Sequence, residues 1–151
     1  MSTNRGNTPD EEAVVEVLER VERAHLSKDA GAIAEAFAPD AILYSLAPPL
    51  ANRGLDRSEL EDWLDTWEGG VRITPAERAI TVDGALAVVR CLARMEGRNR
   101  AQAEDADLWY RSTIVLEKNA GRWRITHQHD SVPFYMDGSL GAAVNLKPTS
   151  V

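Results

Sequence analysis

The chain has 151 residues and a mass of 16.6 kDa, which is room for one domain with a substantial core and not for two. Its composition, 44% hydrophobic and 27% charged, is that of a globular protein, and no apolar run approaches the roughly 20 residues of a membrane helix. A net charge of −7 argues against a nucleic-acid binder, which needs a basic face, and the single cysteine, Cys91, excludes an internal disulfide framework and fits the reducing cytoplasm.

Residues 1–8 read as a polar, disordered lead to a single domain over residues 9–148. Thr8, Pro9 and Glu11 form a helix start, with a threonine cap, a proline at the first helical position and a glutamate closing a capping box. Val14, Val17, Leu18, Val21 and His25 recur at three- and four-residue spacing, so this helix runs to about Ser27. His25 reads as a helix-end or core histidine. Asp29 caps a short second helix over Ala30 to Phe37, stopped by Pro39. Ala41 to Leu46 is expected as a short buried strand ended by Pro48 and Pro49. A third helix opens at Asp56 with Leu60, Trp63, Leu64 and Trp67 on its inner stripe, and Gly69-Gly70 closes it.

The hydrophobic period then changes from 3.6 to 2. Arg72–Val82 and Ala85–Glu96 are expected as strands joined by Asp83-Gly84. A second hairpin joins Asp107–Lys118 to Arg122–Val132 around Asn119-Ala120-Gly121. Helices followed by an antiparallel meander make an α+β domain.

A three-residue loop in the last hairpin pairs Val115 with Ile125, Thr113 with His127 and Arg111 with His129. One face then carries Trp109, Arg111, Thr113, Val115, Trp123, Ile125, His127, His129 and Ser131. A four-residue loop would place Tyr110, Ser112 and Ile114 beside the histidines instead. In the first register the face grades from apolar to polar-aromatic, as the wall of a cavity would. His127 and His129 are then candidate general acid/bases near neutral pH, with Arg111 to hold an enolate or carboxylate. Tyr44, Trp63, Trp67, Trp109 and Ser131 are the candidate ligand-binding residues. Two histidines on one strand could chelate, but Asp130 alternates to the other face and no third ligand is evident, so no metal and no cofactor are expected. Arg90 and Arg94 are expected to pair or reach water, and Cys91 and Met95 to pack. Leu108, Tyr110, Ile114 and Leu116, on the opposite face, would supply a homodimer interface.

The segments FAPDAILYSLAPPL, DLWYRST and GRWRITHQHDSVPFYMDGS, with the helix carrying Trp63 and Trp67, resemble the SnoaL-like, ketosteroid-isomerase-like group of the nuclear transport factor 2 superfamily. That resemblance implies a cone: a strongly bent antiparallel sheet wrapped around the N-terminal helices (nuclear transport factor 2-like, cystatin-like), with a pocket at its open end and usually a homodimer. Ser45 stands where the isomerases of that group carry a catalytic aspartate, and Val21 where they carry an oxyanion-holding tyrosine. In the polyketide cyclases of the same fold, histidine and aspartate on the late strands do the acid–base work, in the region of His127, His129 and Asp130. The expectation is a site for a small, mostly apolar oxygenated molecule. Its chemistry, if it is an enzyme, would be cofactor-independent isomerisation, cyclisation or elimination. A non-enzymatic ligand-binding or interaction module of the same fold is the alternative.

Overall fold

A computed structural model describes residues 8–149; residues 1–7 of the expected lead lie outside the described residues. Helix α1 spans Pro9–Ser27, α2 Ala30–Glu35 and α3 Arg57–Asp65. The strands are β1 Phe37–Tyr44, β2 Asn52–Arg53, β3 Trp67–Asp83, β4 Leu86–Asn99, β5 Ala106–Asn119 and β6 Arg122–Ser131. The local chemistry of the helix ends is as the sequence implies. Thr8 accepts from the Glu11 N–H at 3.2 Å, Asp29 from Ala32 at 3.0 Å and Asp56 from Glu59 at 3.1 Å. Each cap satisfies a donor that the helix itself leaves unpaired. Lys28 ends α1 in the left-handed conformation, its N–H bonded back to the carbonyls of Ala24 and His25.

Several boundaries differ from expectation. Phe37 opens β1 instead of closing α2, and Trp67 through Gly70 belong to β3 instead of α3. Both helices stop sooner because the chain joins the sheet there. The Ile125 N–H donates to the Ala36 carbonyl at 2.8 Å, and Trp67 pairs with Asn99. The sheet order is β2-β1-β6-β5-β4-β3. The meander β3 to β6 is antiparallel, but β1 pairs with β6 in parallel, so the sheet is mixed and not wholly antiparallel. Val14, Ile33, Leu64, Leu116 and Ile125 are almost wholly buried between the helices and the concave sheet face. Each such side chain contributes about 1.5–3 kcal/mol through removal from water.

Two irregularities decide which residues face inward. In β3, Ala76 pairs with Leu92 and Ala79 with Arg90, so Glu77 and Arg78 together oppose Cys91. Glu77 takes a positive φ of 55° at this bulge. In β6, Leu116 pairs with Ile125 and Val115 with His127, which leaves Thr126 as an extra residue. A one-residue bulge reverses the alternation of everything beyond it. The last hairpin also closes on the pair Asn119–Arg122, with Ala120 and Gly121 both at positive φ, in a two-residue turn. His127 therefore lies opposite Val115 and His129 opposite Thr113, one pair away from the expected register.

The expected mixed face is thereby divided. Trp123 and Ile125 are buried in the core. Beyond the bulge, His127, His129 and Ser131 share the convex face with Val115, Thr113 and Arg111. The proposed dimer face is corrected likewise: Tyr110, Ile114 and Leu116 are 7%, 9% and 0% exposed and point into the cone.

Candidate active site

Between the helices and the concave sheet lies a cavity of about 460 Å³, within the usual range for small-molecule sites. Successive cross-strand pairs give its floor a layered order. Val89, Ile114 and Gln128 form one row across β4, β5 and β6, and Cys91, Ser112 and Asp130 form the next. Arg78 extends this second row onto β3, and Ala93 with Tyr110 begins a third. The polar row lies in otherwise apolar surroundings. From the helix side, α1 presents Leu18, Val21, Glu22 and His25 at three- and four-residue spacing. Trp63, Trp67 and the loop from Ser45 to Pro48 complete the wall.

Asp130 is the most distinctive group. Ser112 donates to its Oδ1 at 2.6 Å, and Gln128 Nε2 donates to Oδ2 at 3.0 Å. Burial nevertheless raises its carboxyl above the ordinary carboxylate range, against the pull of those two donors. Tyr110, in the adjoining row, is buried. Burial foremost, and then the charge of Asp130, raise its pKa, so it remains a neutral donor. His25 donates from Nδ1 to the Val21 carbonyl at 2.8 Å, which fixes Nε2 as the accepting nitrogen of the neutral ring. Burial lowers its pKa, and the bond to Val21 opposes this in part. Glu22 and Arg78 form an ion pair in the wall. The site thus combines a protonatable carboxyl, a phenol donor and a neutral imidazole in a largely apolar enclosure.

The native state holds the Asp130 proton more tightly than the unfolded chain does. That contribution to stability is complete below the ordinary aspartate value and is lost as pH rises through the native one. Wild-type melting temperature, measured against the non-titrating variant Asp130→Asn, should therefore fall as pH is raised from about 4 to about 8. A difference independent of pH would contradict this environment for Asp130.

Of the expected site residues, Tyr44, Trp63 and Trp67 border the cavity. The indoles of Trp63 and Trp67 meet edge-on with centroids 5.8 Å apart. Tyr44 lies at the mouth, with its ring 4.9 Å from His127 and 5.3 Å from His129. The expectation that His127, His129, Arg111, Trp109 and Ser131 line the same hollow is corrected: the two-residue turn that pairs Asn119 with Arg122 turns Arg111 and Trp109 outward, and the Thr126 bulge turns His127, His129 and Ser131 outward. None of the five is among the lining residues. His127 instead donates from Nδ1 to the Ile42 carbonyl at 2.7 Å, and Arg111 donates to Ser131 Oγ at 3.2 Å. Trp109 lies in a shallow outer groove with Arg94, Asp107 and the returning tail from Val144 to Pro148. Arg94 grips Asp107 through two bonds of 2.8 Å, as the pairing alternative anticipated.

Residues missed from sequence are Glu22, Arg78, Tyr110, Ser112 and Gln128, and Asp130 was named only through the resemblance and placed on the other face. Glu22 was detectable as a charge interrupting the inner stripe of α1, and adjacent Glu77 and Arg78 in an alternating strand hint at a bulge. Among the described residues, no lining group comes from the tail after Pro133, no cluster of three His, Cys, Asp or Glu side chains is placed to hold a metal ion, and no helix is long and apolar enough to cross a membrane.

Comparison with known proteins agrees with this architecture. The SnoaL-like domain matches residues 14–135. An NTF2-like protein of unknown function from Pseudomonas putida KT2440 superposes with a TM-score of 0.81 at 23% identity, covering 94% of this chain and 99% of its own. A candidate scytalone dehydratase from Novosphingobium aromaticivorans DSM 12444 gives 0.68 at 18% identity, with 80% and 82% covered. A candidate ketosteroid isomerase from Shewanella frigidimarina NCIMB 400 gives 0.62 at 25% identity, with 79% and 94% covered. No protein with a curated description matches the chain. Ser45 and Val21 both border the cavity.

Proposed function

Because the chain belongs to the SnoaL-like domain family, whose structural neighbours include candidate isomerases and dehydratases, we propose that it binds a small, mostly apolar oxygenated molecule in the cone and catalyses proton transfer on it without a cofactor. The observation that carries this reading is Asp130, a carboxyl raised by burial and held by Ser112 and Gln128 on the floor of an apolar cavity. A carboxyl whose proton affinity burial has raised is a stronger base than an ordinary carboxylate, as a general acid–base catalyst needs. In this reading Tyr110 donates to the substrate oxygen on which negative charge develops, and the water-poor walls strengthen that bond. The Nε2 of His25 is a second proton acceptor at the helix side. Isomerisation, cyclisation and elimination all begin with such a transfer next to a carbonyl.

The experiment is deuterium wash-in. Cyclic and aryl ketones are incubated with the protein in deuterated buffer, and exchange at the carbon next to the carbonyl is followed by proton NMR. Acceleration over the buffer rate supports proton transfer. Binding of the ketone without acceleration would assign the cone to a non-enzymatic binding module. Homodimerisation in the cytoplasm belongs to the same proposal, now through the convex sheet face, where Leu86 and Val88 stand 45% and 37% exposed.

A further inference from the structure

The polar row places Arg78 and Asp130 at opposite ends of the cavity floor. Three strand spacings separate them, about 14 Å at ~4.8 Å per step. Arg78 is the only Arg or Lys among the described lining residues. Its guanidinium faces inward because the Glu77 bulge reverses the alternation of β3. From α1, Glu22 Oε1 accepts a hydrogen bond from Arg78 Nη2, with the two side chains only 22% and 18% exposed. Burial raises the Glu22 carboxyl, and the adjacent guanidinium pulls it back down. The Nε–H of Arg78 is buried without a partner.

We propose that Glu22 sets the charge class of the ligand: by neutralising Arg78 it makes the cone a site for uncharged carbonyl or hydroxyl compounds and closes it to carboxylates. This rests on the reading of the cone as a small-molecule site and narrows its substrate class. The charge balance carries the argument. An entering carboxylate would join Glu22 and Asp130 opposite a single guanidinium already engaged, with its own desolvation uncompensated. An uncharged oxygen loses little hydration on entering and needs no counter-charge in the cone. Glu22→Gln keeps the length of the side chain and an oxygen for Arg78 while removing the negative charge, so the guanidinium becomes free to hold an anion.

The test is equilibrium dialysis at neutral pH of two probes on one ring system, 2-acetylnaphthalene and 2-naphthoate. The wild type is expected to bind the ketone at least tenfold more tightly than the carboxylate. In Glu22→Gln the ratio of carboxylate to ketone affinity should rise at least tenfold, and in Glu22→Gln/Arg78→Met that gain should vanish. Near-UV circular dichroism of the tryptophans establishes that each variant is folded, and the wild-type preference stands as a test even if a variant is not. Equal or better carboxylate binding by the wild type, or an unchanged ratio in folded Glu22→Gln, overturns the charge selection alone. Failure of the wild type to bind either probe overturns the reading of the cone as a ligand site, and this inference with it.

Discussion

Asp130→Asn is expected to slow deuterium wash-in by about 10²–10⁴-fold, the usual loss when a positioned general acid–base group is removed. The amide keeps the shape of the carboxyl and can still bond to Ser112, so ketone affinity should change far less than the rate. That split between rate and binding separates a proton-transfer role from a packing role. His127→Ala and His129→Ala should leave the rate within about twofold, because both rings lie on the convex face against Tyr44. A large loss in either histidine variant with Asp130→Asn unaffected would return the chemistry to the outer face.

Gly70→Ala is expected to destabilise the fold by about 4 kcal/mol or more, a loss large enough to lower the melting temperature by roughly 10 °C. Gly70 has φ +85°, and a Cβ there would lie 2.0 Å from the Leu26 carbonyl oxygen and 3.0 Å from that of His25. Both obstacles are backbone, so no side chain can rotate away. Relief would require moving the end of α1 off β3, and His25, at that end, would leave the cavity wall. Gly69→Ala is the control, with a similar φ of +72° but open space around the added methyl. It should cost only the ~1–2 kcal/mol of a left-handed non-glycine residue. Equal losses in the two variants would show that backbone conformation, and not the close passage beneath α1, limits this position.

Local chemistry was legible in the sequence wherever neighbouring residues determine structure. The three helix caps, the hairpin glycines and the inner stripe of α1 follow from spacing alone, and the family resemblance supplied the cone. What escaped were effects that depend on strand pairing across the sheet. The run Trp123, Ile125, His127, His129 alternates without interruption, so nothing in it marks Thr126 as the residue left over. The bulge becomes evident only from the pairing with β5, where Leu116 and Val115 take Ile125 and His127 as partners. One unpaired threonine thus exchanges two histidines for Gln128 and Asp130 on the inner wall. The parallel pairing of β1 with β6 is similarly long-range: it joins Tyr44 to His129 across most of the chain. Tyr44, Trp63 and Trp67 border the cavity, as their places beside Ser45 and one helical turn apart led one to expect. Tyr110 was assigned outward because a three-residue loop was expected where a two-residue turn pairs Asn119 with Arg122.

A crystal structure of the protein soaked with 2-acetylnaphthalene tests the central claim most directly, namely that chemistry belongs to the concave wall. Density for the ketone is expected inside the cone, with its oxygen within hydrogen-bonding reach of Tyr110 or Asp130. Density seated instead on the convex face, against Tyr44, His127 and His129 with the cone empty, would contradict it.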